Sequence, residues 1–127
     1  MIKGSKRLSS EFDIMNIVYE KSYLQKDVVT YTQLREESNL EKNYFNFILD
    51  NLVDKKFLNV NIYDDKLIKN FGYTINESLV PFFEALYVSK KNIDKKDLKA
   101  EEKREQIKDV VNEKKQEYKK ISNKFEL

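Results

Sequence analysis

Few residues in this chain could do chemistry, and the gaps in its inventory decide most of what that chemistry can be. There is no histidine and no cysteine, so the chain lacks an imidazole base, a thiol nucleophile and the usual zinc ligands. Its two glycines, Gly4 and Gly72, cannot build a glycine-rich loop that cradles phosphate. The adjacent carboxylates Asp64 and Asp65 could hold a divalent cation, but their neighbours read as a solvated hairpin tip. No metal, no cofactor and no enzymatic activity are expected from this set. Lys3, Lys6 and Arg7 form a small basic arm that could touch phosphates or be an ordinary frayed terminus.

The totals favour a binding protein with a real core. The chain has 127 residues, 40% of them hydrophobic and 13% aromatic, which suits one small domain plus an appendage. No run of about 18 apolar residues is present, so no membrane span is expected. The opening MIKGSKRLSS lacks the apolar stretch of a secretory signal. Without cysteines there are no disulfides, which fits a cytoplasmic protein.

The elements that must position any site centre on residues 28–58. Thr30 and Gln33 have capping-box spacing and start a predicted helix over Tyr31–Ser38, with Leu34 inward. Ser38-Asn39 should end it, because asparagine tolerates the left-handed conformation of a sharp turn. The next helix carries Phe45, Ile48, Leu49 and Leu52 at i, i+3, i+4 and i+7, one apolar stripe. Leu40 and Phe57 close the same core, and the pair of helices forms a helix-turn-helix.

On either side the pattern continues. Ser9 or Ser10 is read as the cap of a helix over residues 11–24, with Leu8, Phe12, Met15 and Val18 or Tyr19 on one face. Leu58, Val60 and Ile62 alternate with Asn59, Asn61 and Tyr63 as a half-buried strand. Tyr73 and Ile75 return, after a loop over 64–71 carrying Lys66 and Lys69, with Gly72 free to take a positive φ. Three helices followed by a β-hairpin make a winged helix. Ser78 is then the expected cap of a further helix with Pro81 in its first turn and Leu79, Phe82, Phe83, Leu86 and Tyr87 on one face.

From Lys91 onward the chain holds 12 basic and 9 acidic side chains. Ala100, Ile107, Val111, Tyr118, Ile121 and Phe125 follow a heptad-like seam interrupted by Arg104 and Lys114. A weak coiled coil, a helix docked on its own chain and a disordered charged tail all fit that pattern. If helical from about Ile93 to Phe125, the segment would extend roughly 50 Å at 1.5 Å per residue. The expected architecture is mainly α with a small β-hairpin: a winged-helix domain over 1–90 and a charged C-terminal helix over 91–127. A homodimer is expected through Phe82, Phe83, Leu86, Ile107, Val111, Tyr118, Ile121 and Phe125.

Residues 9–87 resemble the winged helix-turn-helix superfamily of DNA-binding proteins. The resemblance rests on Thr30-x-x-Gln33-Leu34, the Ser38-Asn39-Leu40 turn, the Phe45/Ile48/Leu49/Leu52 helix, Lys56-Phe57-Leu58 and Gly72-Tyr73-Thr74-Ile75-Asn76. Small MarR/Sar-like regulators, archaeal winged-helix proteins dimerised by a C-terminal coiled coil, and the N-terminal domain of DnaD-type primosome proteins are similar. The chain departs from the family pattern at Lys56 and Asn39, where glycine is usual. The resemblance implies a regulator that binds duplex DNA, with Lys42, Asn43, Tyr44, Asn46 and Phe47 facing the major groove and Lys66 and Lys69 on the backbone. The DnaD-like alternative is a replication or assembly factor that contacts proteins. Charge opposes tight DNA binding: residues 1–90 carry 12 basic and 13 acidic side chains, with Glu41, Asp50 and Asp54 along the second helix of the motif.

Overall fold

A computed structural model describes residues 2–65 and 68–124, with side chains described over 6–61 and 71–124. The architecture is mainly helical with one small antiparallel sheet, an α+β fold. The elements are α1 (Ile2–Val18), a π-helical turn (Tyr19–Leu24), β1 (Val29–Thr30), α2 (Tyr31–Ser38), α3 (Lys42–Asp54), β2 (Leu58–Asp65), β3 (Ile68–Ile75), a 3-10 turn (Glu77–Leu79), α4 (Val80–Asp94) and α5 (Ala100–Asn123). The chain divides into two compact units, residues 1–80 and 81–127. That boundary lies ten residues before the composition shift at Lys91, because Phe82 and Phe83 of α4 share ring contacts with Tyr118 of α5.

In the first unit, Phe12, Met15, Val18 and Tyr19 are buried together with Leu34 and the α3 stripe Phe45, Ile48, Leu49 and Leu52. Burial of each such side chain contributes about 1.5–3 kcal/mol. Helix α1 begins well before the serine pair. Ser9 and Ser10 are interior residues rather than caps, and Ser10 is buried, with its hydroxyl 3.4 Å from the Tyr44 hydroxyl. Toward its end the helix widens into the π-helical turn, where Ser22 Oγ donates to the Val18 carbonyl at 2.7 Å.

The capping box is present in full. Thr30 Oγ1 accepts from the Gln33 amide at 3.3 Å, and Gln33 Oε1 accepts from the Thr30 amide at 3.1 Å. Helix α2 stops where Asn39 adopts φ 54°, the left-handed conformation that its short side chain tolerates. Strand β3 is central in the order β1-β3-β2. The hairpin is longer than the alternation alone suggests. All eight residues of β2 pair with β3, from Leu58 opposite Ile75 to Asp65 opposite Ile68, so most of the expected 64–71 loop is strand. Gly72 is not a positive-φ residue: it is paired with Thr30 on one side and Asn61 on the other, and this double pairing keeps it extended.

The positive φ falls instead on Lys56, at 66°. Two hydrogen bonds close the end of α3 around it, Lys56 N to the Val53 carbonyl and Phe57 N to the Leu52 carbonyl, each 3.0 Å. This is a Schellman motif, with buried Phe57 and Leu52 supplying its apolar contact. Asn76 then ties the end of β3 to the same corner, Nδ2 donating to the Lys56 carbonyl at 2.7 Å and its amide to the Phe57 carbonyl at 2.9 Å. Asn76 rather than Ser78 caps the following turn, its Oδ1 accepting from the Ser78 amide at 3.0 Å. Pro81 is the second residue of α4, in the first turn where no intrahelical donor is lost.

The second unit is a helical hairpin, not one long helix from Ile93. Residues 95–99 interrupt it between α4 and α5, and Lys103 Nζ reaches back to the Asp94 carbonyl at 2.7 Å. The ring of Tyr118, fully buried, lies 6.3 Å from Phe82 and 6.4 Å from Phe83. Lys114, which breaks the heptad seam on paper, places Nζ 5.3 Å from the centre of the Phe82 ring.

A left-handed conformation costs a residue with a Cβ roughly 1–2 kcal/mol, and glycine avoids most of that while adding unfolded-state entropy. Lys56→Gly is therefore expected to stabilise the protein by about 1 kcal/mol, read as a raised urea midpoint at unchanged slope.

Candidate functional site

Helix α3 and the strands beside it carry the positions singled out for binding. The helix starts at Glu41, whose Oε1 and Oε2 accept from the Asn43 and Tyr44 amides, both at 3.0 Å. Those two amide hydrogen bonds hold the Glu41 carboxyl below the usual carboxylate range, with burial opposing and Arg35 assisting. Glu41 therefore serves as the cap of α3 rather than as a free acid on its outer face.

The five groove-facing candidates separate into two groups. Lys42, Asn43 and Phe47 are exposed, Phe47 by 54%. Tyr44 is half-buried and turned toward α1, with Lys6 Nζ 5.4 Å from its ring centre. Asn46 is half-buried too, and its Oδ1 accepts from the Tyr31 hydroxyl. Both are occupied by the fold, so the outward set is Lys42, Asn43 and Phe47. Lys66 lies outside the described residues; Lys69 pairs with Asp64 in the ladder, its side chain outside the described set. The side chains of Asp64 and Asp65 are outside it as well.

Between α3 and the β-hairpin runs an open groove of about 670 Å³. Tyr31, Phe71 and Tyr73 give it aromatic walls, while Asp50 and Asp54 come from α3. Val60 and Phe71, 38% and 46% exposed, present apolar surface to it. The strand register explains the grouping, because Val60 pairs with Tyr73 and Phe71 stands two residues along on the same face. Burial first, then the proximity of Tyr31 and Asp50, raises the Tyr73 phenol above its ordinary value. Sequence reading missed this groove. The available signal was the like-charged i, i+4 pair Asp50/Asp54, which weakens a helix by a few tenths of a kcal/mol.

Three of the eight expected dimer residues are buried within one chain and four are partly open. Phe83, Leu86 and Tyr118 are buried; Phe82, Ile107, Val111 and Ile121 are half-buried; Phe125 lies outside the described residues. Among the described residues, no helix is long and apolar enough to cross a membrane. Compared with protein-family models, curated proteins and solved structures, the chain has no significant match in any of the three.

A carboxyl whose folded pKa is lowered adds stability that is complete above its unfolded value and is lost as pH falls through the folded value. Glu41→Gln should therefore be less stable than the parent at neutral pH, with the gap closing as acid protonates the Glu41 carboxylate. Urea unfolding across that range measures the convergence. A constant gap would mean that the Glu41 charge is not what stabilises the cap.

Proposed function

We propose that residues 1–80 are a winged helix-turn-helix and that this unit binds duplex DNA as a transcriptional regulator. The observation that carries the reading is the outer face of α3, which leaves Lys42, Asn43 and Phe47 open to solvent at the start of the helix. The element order supports it: three helices, the third closed by a tight corner that leads into a long β-hairpin. In this reading α3 enters the major groove and the hairpin follows the adjacent backbone. Asn43 has the amide geometry to pair bidentately with adenine, Phe47 can meet a thymine methyl, and Lys42 reaches a phosphate.

Electrostatics limit the affinity. Lys42, Lys66 and Lys69 are three candidate phosphate contacts, which corresponds to a log–log salt slope of about −3. Asp50 and Asp54 oppose a closer approach of the phosphates to the middle of α3. One observation favours a second reading, an assembly factor of the DnaD-like kind. An exposed Phe47 beside these carboxylates also suits a protein partner.

The test is fluorescence anisotropy with AT-rich and random duplexes across a salt series. Asn43→Ala should cost about 1–3 kcal/mol at one site position and spare random-sequence binding. Lys42→Ala should weaken all sequences alike and flatten the slope. Absence of binding at about 50 mM salt would remove the DNA reading and leave the protein-partner one.

For the second unit we propose an intrachain role. A dimer built on Phe83, Leu86 and Tyr118 would first have to open the helical hairpin. Sedimentation velocity at low micromolar concentration should accordingly show a monomer, and a stable dimer there would put the interface on other residues.

A further inference from the structure

The groove between α3 and the β-hairpin has a chemistry that neither DNA nor an acidic partner would select. Three aromatic side chains, Tyr31, Phe71 and Tyr73, line it together with the carboxylates of Asp50 and Asp54. Aromatic faces carry negative electrostatic potential and attract cations, most strongly ions that shed water easily. Carboxylates reinforce that preference and repel anions.

Three further observations concern the same groove. Among the described residues no ion pair reaches Asp50 or Asp54, although Glu11, Glu37 and Glu117 each have a lysine partner. The two aspartates also sit at the wrong end of their helix. Asp54 is the last residue of α3, where the helix dipole is negative, and Asp50 lies one turn before it. Finally, Tyr73 is buried except for its hydroxyl end, it lines the groove, and that accessible hydroxyl has no hydrogen-bond partner among the described residues.

We propose that this groove binds a small organic ammonium ion carrying an apolar group. The cationic head would lie between Asp50, Asp54 and the aromatic rings. The apolar body would cover Val60 and Phe71, and the Tyr73 hydroxyl would face the bound ligand. A volume of about 670 Å³ falls within the range of small-molecule sites. The inference does not depend on DNA binding: its test reads a small cation directly, although Asp50 and Asp54 continue the same exposed stripe of α3 that carries Asn43 and Phe47.

The probe is benzyltrimethylammonium, titrated into the full chain and followed by tyrosine emission, which no tryptophan obscures, and by NMR shifts of groove residues. Saturable binding is expected, with phenylacetate silent and benzyl alcohol at least roughly tenfold weaker. Asp50→Asn combined with Asp54→Asn should weaken the cation by roughly tenfold or more without changing the circular dichroism spectrum. Phe71→Ala, at an exposed site that does not endanger folding, should weaken it several-fold. Equal binding of benzyl alcohol, full affinity in the double asparagine variant, or no saturation by about 10 mM would each overturn the proposal.

Discussion

The left-handed corner at Lys56 is the constraint on which the first unit depends. Three residues separate the last turn of α3 from β2, and within them the chain must reverse, satisfy the helix's final carbonyls and enter a sheet at a defined angle. The two Schellman hydrogen bonds and the Phe57–Leu52 pair do this locally, and Asn76 fastens the far end of the β-hairpin to the same backbone. Both faces of interest follow from that junction. The start of α3 leaves Lys42, Asn43 and Phe47 open, and its second half, with Asp50 and Asp54, meets Val60, Phe71 and Tyr73 across a groove.

A second constraint couples this corner to α1. Glu11 is fully buried and lies 2.9 Å from Lys55 Nζ, which is itself nearly buried, while Arg7 Nε stands 3.9 Å from the other carboxylate oxygen. Lys55 immediately precedes the left-handed residue and also lies over the Phe57 ring, 5.7 Å from its centre. Removing two charges from water is costly, and an apolar pair would often be as stable. What the ion pair adds is registry, because only one docking of α1 against the end of α3 brings these charges together.

Charge is used differently in the two units. In the first, the carboxylates of Glu11 and Glu41 serve the fold, one in a buried pair and one as a helix cap, whereas Asp50 and Asp54 serve no such purpose. In the second, a highly charged sequence still makes a helical hairpin because its long side chains lend their stems to packing. Lys114 covers an aromatic ring while its ammonium pairs with Glu117 at 3.1 Å. Such a residue reads as an interruption of an apolar seam, yet here it is part of the contact.

Local chemistry made several elements legible from the sequence alone. Thr30 and Gln33 satisfy each other's backbone amides, Asn39 takes the left-handed position, and the Phe45/Ile48/Leu49/Leu52 spacing can face a core only as a helix. Each depends on residues within a turn or two, so α2 emerged with its stated bounds and α3 with its stated apolar stripe. Tertiary structure decided the rest. Only the fold shows that Ser10 is buried against Tyr44, that Tyr31 occupies Asn46, and that Lys56 rather than Gly72 carries the positive φ. It also brought Tyr118 against Phe82 and Phe83, more than thirty positions earlier, so part of the candidate dimer seam has a contact within one chain. The groove was the least legible feature of all. Its residues come from α2, α3 and both hairpin strands, and no sequence spacing records that Asp50 and Phe71 face the same space.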